Sequence, residues 1–346
     1  MKDCNEQVAG FERSKVRMSE DGRADIYSKA KHNRKRLRAG LEEKEDPKPV
    51  GFRTQGSYAM RTMIQHDSGD YDVDDGVYFA RDSLKGPQGA DKTALDARKM
   101  VCDALQDDRF AEKPQVRNNC VRLYYSDGYH VDVPVYRRIK TTDAWGKETE
   151  SYELASTDWK PSDPLKVTHW FKDQNKSKSH DATANGNDGQ FIRIVRLVKA
   201  FARSRGSWKG SIASGFAISK LVADNFSQDE GRDDRSFRST MKTISTTLSY
   251  NDAIRHPVLQ ENIAEPGDAR TMFLKEKIDE NLKHLEVLDA TDCSHKQAMT
   301  AWDKLFSTDW FQSRPDPSDR GDLEKASGPA VIKRGDTRYA KETRHA

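Results

Sequence analysis

Four aspartates fall within six residues of the stretch DYDVDDGVYF, at Asp70, Asp72, Asp74 and Asp75, and the chain then turns apolar. Carboxylates this close repel one another unless protons or cations screen them. In a strand, alternate residues share a face, so Asp70, Asp72 and Asp74 would point one way while Tyr71, Val73, Val77 and Phe79 point the other. Asp75 breaks the second face, and Gly76 after it predicts a bulge there. A further carboxylate, Asp132, sits mid-strand between Val131 and Val133 in HVDVPVY, where it needs a cation or a hydrogen-bond network. Upstream, Gly56 and Ser57 in TQGSYAMRT open a short helix. Glycine lets backbone approach a phosphate closely, and the following N–H groups and the Ser hydroxyl can donate to its oxygens. These residue types suit oxygen-seeking divalent cations and a phosphorylated ligand.

A calcium loop would read the same acidic run differently, and its register fails. The position that must be Gly for the turn is Asp75, and the position that should supply a bidentate Glu is Arg81. Strand parity does not choose between Asp70/Asp72 and Asp72/Asp74 as the working pair.

The elements that must hold these groups differ along the chain. Residues 1–45 are charged and helix-forming, with a basic run Lys29 to Arg38 that reads as a solvated helix face or, as the alternative, a nucleic-acid or phosphate contact. From Val50 to about Tyr136, short β-like runs alternate with a helical stretch, DKTALDARKMVCDALQDD, whose Leu95, Met100, Val101 and Leu105 suggest an apolar face. VRLYYSD and HVDVPVY read as half-buried strands. After about Ser151 the signals are nearly all helical. Asp163 and Pro164 form an N-cap and first-position pair. Ile194, Leu197, Val198 and Phe201 form one stripe of a helix predicted to stop at Gly206. Phe237, Met241, Ile244 and Leu248 mark a second helix, Leu274, Ile278, Leu282 and Leu285 a third, and QAMTAWDKLF a last one ending near Phe311. Residues 172–190 and 225–236 read as mobile loops, and the polar tail beyond Gln312 as disordered.

In the helical half, Arg193, Arg196, Lys199 and Arg203 recur at spacings of 3, 3 and 4 and form a cationic stripe. Tyr58, Trp159 and Trp170 are large enough to stack on a base, although such aromatics more often belong to a core. His130 and His169 read as bystanders.

Composition limits the alternatives. A 346-residue chain with 33% charged and 35% hydrophobic residues suits a soluble protein with room for two domains. No apolar run approaches the length of a membrane helix, and the N-terminus lacks the apolar centre of a signal peptide, so a cytoplasmic protein is expected. Cys4, Cys102, Cys120 and Cys293 are scattered without a CxxC pair, which argues against a zinc site or a disulfide framework. A net charge of +3 gives no general basis for nucleic-acid binding.

Gly-Ser, then Asp-x-Asp on a strand, then a single Asp on a later strand is the ordered pattern of the polymerase-β-like nucleotidyltransferases. The chain more closely resembles one branch, the CD-NTase family of bacterial cyclic-oligonucleotide synthases, especially those like the bacterial cyclic GMP-AMP synthase. QGSYAMRT, DVDDGVY, HVDVPVY, LASTDWKPSDPLKVTHWF and RIVRLVKAFARS carry the resemblance over residues 52 to about 215, and AWDKLF near 302 is a weaker echo. The resemblance implies an α+β, two-lobed nucleotidyltransferase: a helical brace over 1–45, a mixed-sheet catalytic lobe over 46–155, a helical lobe over 156–312 and a loose tail over 313–346. It implies Asp72 and Asp74 as the metal-binding pair and Asp132 as the third carboxylate, together holding two Mg²⁺ ions, with Mn²⁺ an expected substitute. Gln55, Gly56 and Ser57 would hold the nucleotide, Lys199 would contact the triphosphate, and Ser214 would partner Lys199. The implied reaction joins and cyclises nucleoside triphosphates, ATP and GTP among them, into a second messenger for anti-phage (CBASS) signalling. The implied partners are a product-activated effector and a conjugation or regulatory partner at the tail ending KETRHA, with no membrane and no nucleic acid. The competing readings are a template-independent RNA nucleotidyltransferase of the poly(A) or CCA type and a catalytically silent nucleotide sensor.

Overall fold

The structure, a computed structural model, describes residues 1–65, 72–86, 88–107, 112–125 and 130–316. Asp70, Tyr71, the side chain of Asp72 and the tail from 317 onward, including KETRHA, lie outside the described residues.

The N-terminal segment is two helices. α1 (Asn5–Phe11) runs into a π-helical turn (Glu12–Val16), and α2 (Glu20–Glu43) restarts after Ser19, whose hydroxyl accepts from the Gly22 N–H. α1 sends Val8 and Phe11 into the core of the helical half, whereas α2 sends Ile26, Leu37 and Leu41 into a second core beneath the sheet. The first residues of the chain thus belong to both halves.

An eight-stranded mixed sheet follows, with β1 (Gly51–Thr54), β2 (Asp72–Ala80), β3 (Gln115–Val116), β4 (Val121–Tyr124), β5 (His130–Val133), β6 (Val135–Thr142), β7 (Glu148–Ala155) and β8 (Trp159–Pro161). Between β1 and β2 lies the short α3 (Gly56–Ala59), and between β2 and β3 lies α4 (Ala94–Ala104). β2 pairs with β1 antiparallel on one side. On the other it runs parallel to β5 and β6, which keep one register across Pro134 (Asp74↔Asp132, Val77↔Val135) and so form one interrupted strand. β4 pairs with β5, and β7 with β6.

Val73, Val77 and Phe79 of β2 pack with α2 and α4, so the period-two reading of this strand holds. No bulge occurs at Asp75: β1 and β2 pair without interruption from Gly51↔Tyr78 to Thr54↔Asp75. Asp75 lies on the helix-covered face, 2% exposed, where Arg34 of α2 grips both its oxygens, Nε at 2.8 Å. Burial pushes the Asp75 carboxyl up, with Arg34 opposing. Losing one partner of such a pair costs about 3–5 kcal/mol, because the other stays buried and charged. The basic run is therefore a solvated face only in part: Lys31, Lys35 and Arg38 are exposed, whereas Arg34 turns inward. Arg36 pairs with Asp107, and Arg38 lies over the Phe52 ring at 4.7 Å.

Two further expectations for this half are corrected, and one element was missed. Leu95 is 41% exposed, and Ala94, Ala97, Met100, Val101 and Leu105 form the buried face of α4. The signals do not turn helical at Ser151, since β7 continues to Ala155 and β8 follows. The β6–β7 hairpin escaped notice because its outer residues, Lys140 to Thr142 and Glu148 to Ser151, are exposed and show no apolar alternation.

The remaining chain is mostly helical: α5 (Pro164–Lys178), α6 (Gln190–Arg203), α7 (Gly215–Asn225), α8 (Asp233–Tyr250), α9 (Ala269–Leu282) and α10 (His295–Phe306), with a two-stranded ribbon of β9 (Ile254–Arg255) and β10 (Asn262–Ala264). Asp163 caps α5 by accepting from the Lys166 N–H, with Pro164 in the first turn. The expected stripes of α6, α8 and α9 are buried. α6 stops at Arg203 rather than Gly206, and α10 ends at Phe306, where Ser307 turns left-handed and Asp303 accepts from the Phe311 N–H. The two segments read as mobile loops are tied down. α5 runs through Lys178, Asn175 donates to the Asp188 carbonyl, and Gln190 reaches the Asp229 carbonyl. The four cysteines are free and buried. Among the described residues no helix is long and apolar enough to cross a membrane.

Candidate active site

The site starts where β1 ends. The Gln55 N–H donates to the Asp74 carbonyl at 2.9 Å, so the chain stays clamped to β2 as it turns. Gly56 then adopts φ +62°, and a Cβ built on it would lie 2.3 Å from Asp74 Oδ2. Only a residue without a side chain lets backbone approach that carboxylate so closely. α3 follows, and the Ser57 carbonyl accepts from the Thr62 N–H at 2.9 Å, folding the loop back on itself.

Asp74 and Asp132 are direct register partners on adjacent parallel strands. Residues so paired stand side by side on one face, here the face away from α2 and α4. Cys120 reports on both: burial pushes its thiol well up, and Asp132 and Asp74 add to the shift. Asp132 is 8% exposed, and Arg122 holds it with two parallel hydrogen bonds of 2.8 Å each. Asp72 lies two residues before Asp74 with His130 as its register partner. Among the described residues no three His, Cys, Asp or Glu side chains form a metal cluster, and the Asp72 side chain is not one of them.

Gln55 turns its side chain inward, Nε2 donating to the Tyr136 hydroxyl at 2.8 Å, where Tyr136 stacks on Tyr78 at 4.7 Å. Lys199, 6% exposed, donates to Thr62 Oγ1 at 2.8 Å and its carbonyl at 3.4 Å. A Cβ on Gly215 would lie 3.8 Å from Lys199 Nζ, so the start of α7 abuts this lysine. Ser214 is the N-cap of α7, accepting from the Ala217 N–H at 3.2 Å. Thr62 at the end of the Gly56 loop, Lys199 and Gly215 at the start of α7 therefore meet, while the Ser214 hydroxyl is spent on capping its own helix.

Of the other members of the cationic stripe, Arg203 is exposed, whereas Arg193 and Arg196 are engaged by acids. Arg193 pairs with Asp233 and Asp181. Arg196, 3% exposed, pairs with the fully buried Glu12 at 2.6 Å and donates to the Arg61 carbonyl at 3.2 Å. Tyr58, Trp159 and Trp170 all flank cores: Arg23 covers the Tyr58 ring at 4.1 Å, and Trp159 Nε1 donates to the Lys92 carbonyl. His169 is exposed, and His130 lies edge-on to Tyr124.

Two residues escaped the sequence reading, Arg122 and Thr62. An arginine inside VRLYY, facing HVDV across a hairpin-like pair, was the available signal for the first. Thr62 carries none, because its contact with Lys199 spans 137 residues.

Burial pushes the Lys199 ammonium down to about 7, and repulsion from Arg203 and Arg196 adds to the effect. The unfolded chain keeps that proton to about 10.5, so between about 7 and 10.5 it binds more protons than the folded protein. The contribution of Lys199 to stability must then rise with pH across this window. Denaturant unfolding at pH 7 to 10 checks it: the wild type should gain on Lys199→Met as pH rises, and a constant difference would contradict the assignment.

Residues 50–136 match the family model described as cyclic GMP-AMP synthase DncV-like, nucleotidyltransferase domain. This stretch contains Gly56, Asp74 and Asp132. The chain carries a DncV-like nucleotidyltransferase domain. The resemblance to the CD-NTase family read from the motifs is thereby borne out, and the protein is a nucleotidyltransferase. Solved structures resemble the chain beyond the DncV-like domain. The Vibrio cholerae di-nucleotide cyclase DncV matches at 16% identity over 85% of this chain and 92% of its own, TM-score 0.65. Escherichia coli MS115-1 CdnC, solved with HORMA-deltaN, matches at 16% identity over 89% and 98%, TM-score 0.64. Bradyrhizobium diazoefficiens CdnG, solved with GTP, matches at 12% identity over 89% and 96%, TM-score 0.66. At such identities the likeness shows the fold, and the α+β architecture with a mixed sheet and a helical portion is common to them.

Proposed function

We propose that this protein joins nucleoside triphosphates through phosphodiester bonds and closes the linear intermediate into a cyclic di- or trinucleotide. The observation that carries the reading is the register match of Asp74 and Asp132, with the Gly56 backbone against Asp74. The reading takes residues 46–155 as the catalytic lobe and 156–312 as the helical lobe across the cleft.

The donor set suits hard divalent cations, since Asp74 and Asp132 offer carboxylate oxygens on one face and the glycine leaves space beside Oδ2. Asp72, Asp74 and Asp132 would hold two Mg²⁺ ions, with Mn²⁺ able to substitute. Such ions, when bound, neutralise phosphate charge and acidify the attacking ribose hydroxyl. The chain's own groups do the positioning. Backbone N–H groups from Gly56 onward and the Ser57 hydroxyl donate to the triphosphate, with Lys199 and the start of α7 approaching from the helical side. Asp132 accepts the proton of the attacking hydroxyl. The new oxygen–phosphorus bond forms at the α-phosphate as the bond to pyrophosphate breaks, a reaction that needs little beyond alignment and charge neutralisation. The expected setting is bacterial anti-phage signalling in the cytoplasm, with the ring activating a separate effector. A conjugation or regulatory partner at the C-terminal tail belongs to the same reading.

Within the basic run Arg34 and Arg36 are engaged by Asp75 and Asp107, which weakens the rival reading of an RNA-extending enzyme. Radiolabelled NTPs incubated with Mg²⁺ and no RNA should yield pyrophosphate and a phosphatase-resistant small product. Label appearing only on added RNA would favour the rival, and absence of pyrophosphate release would leave a silent sensor.

A further inference from the structure

We propose that Arg122 is a resident counter-cation that occupies Asp132 until a divalent ion arrives together with nucleotide. The inference rests on the metal reading above and deepens it. Asp132 is the most enclosed of the described acids on the catalytic face, and a carboxylate with 12% of its side chain exposed needs a positive partner when no metal is bound. Arg122 supplies one from the neighbouring strand. It is the register partner of Asp132 on β4, so strand geometry, and not a chance rotamer, sets the two opposite each other. The contact is fork to fork, Nε to Oδ1 and Nη2 to Oδ2 at 2.8 Å each, the strong bidentate form of the pair.

Both carboxylate oxygens are thus taken up by a fixed positive charge. A guanidinium stays charged at any working pH, so it leaves by moving and not by losing its proton. The Arg122 side chain is 28% exposed, which leaves it a route away from Asp132. Once displaced it keeps its charge, and the incoming triphosphate is an anion that a guanidinium can bind. Metal and nucleotide should then strengthen each other's binding, and that coupling is reciprocal. Arg122 is on this account a positioning residue that keeps the metal site closed while the cleft is empty.

The test measures Mn²⁺ binding to the full chain by electron paramagnetic resonance of the free ion, with and without a non-hydrolysable nucleoside triphosphate. Arg122→Met keeps the apolar stem and removes the charge. It should bind Mn²⁺ about tenfold more tightly than the wild type without nucleotide, a change of about 1.4 kcal/mol, and nucleotide should tighten it less than it tightens the wild type. Arg122→Lys keeps the charge but not the fork and should fall between them, giving a second reading if the Met variant folds poorly. Unchanged or weaker Mn²⁺ binding in these variants overturns the proposal. Asp74→Asn and Asp132→Asn separate the two layers: wild-type affinity in both would overturn the metal reading itself, and this proposal with it.

Discussion

Asp74→Asn is expected to lower pyrophosphate release by about a thousandfold or more, while the thermal unfolding midpoint stays close to that of the wild type. Neutralising phosphate charge through a carboxylate-held cation is worth several kcal/mol, and each 1.4 kcal/mol is about tenfold in rate. The fold should survive because Asn keeps the size of Asp74, and the strand contact at this position, the Asp74 carbonyl to the Gln55 N–H, is made by backbone. The same substitution one residue later tests the geometry of the strand. Asp75 lies on the opposite face with Arg34, so Asp75→Asn should lose stability while the remaining folded protein keeps its turnover. Unimpaired turnover in Asp74→Asn, measured with purified protein and all four NTPs, would refute the assignment of this carboxylate.

Gly56→Ala should be nearly as damaging. The left-handed backbone at φ +62° costs an alanine about 1–2 kcal/mol. The larger effect is steric, because the new methyl would sit 2.3 Å from Asp74 Oδ2 and must push either the loop or the carboxylate aside. A displacement of about 1 Å at a reacting centre can cost about a hundredfold, and a loss of that order is expected in turnover. Gly89→Ala is the control. Gly89 has φ +79° with nothing within 4 Å of its would-be Cβ, so it should show the backbone strain as lost stability without lost activity. Equal activity losses in the two variants would mean that strain, and not contact with Asp74, explains the glycine.

Strand β2 was legible because its two faces differ in character. Val73, Val77 and Phe79 had to be apolar, and that left the alternate positions as the only place for acids that serve a site. Asp75 was misread because a sequence shows an acid on a core face but not the arginine 41 residues earlier that receives it. The same blindness applies to Arg196, whose charge faces Glu12 inside the protein instead of solvent. Helix caps such as Asp163 with Pro164 were readable since their partners lie within one turn. The β6–β7 hairpin was not, because a ribbon exposed on both faces carries no apolar period. Within the candidate site, the local pieces around Gly56 and Asp74 were visible, whereas Arg122 and Thr62 act through contacts that only the folded chain brings about.

The division of the first forty residues between two cores bears on the order in which a ribosome could assemble this protein. α2 finds its partners once the sheet, ending at Pro161, has emerged. α1 must wait, since Phe11 lies against Phe306, Trp310 and Phe311 at ring distances of 4.8 to 5.4 Å. At about 5–20 residues per second, the interval between these two docking events is roughly 8 to 30 s. During that time Val8, Phe11 and Val16 stay uncovered on a segment tethered to the finished sheet, a natural substrate for chaperones.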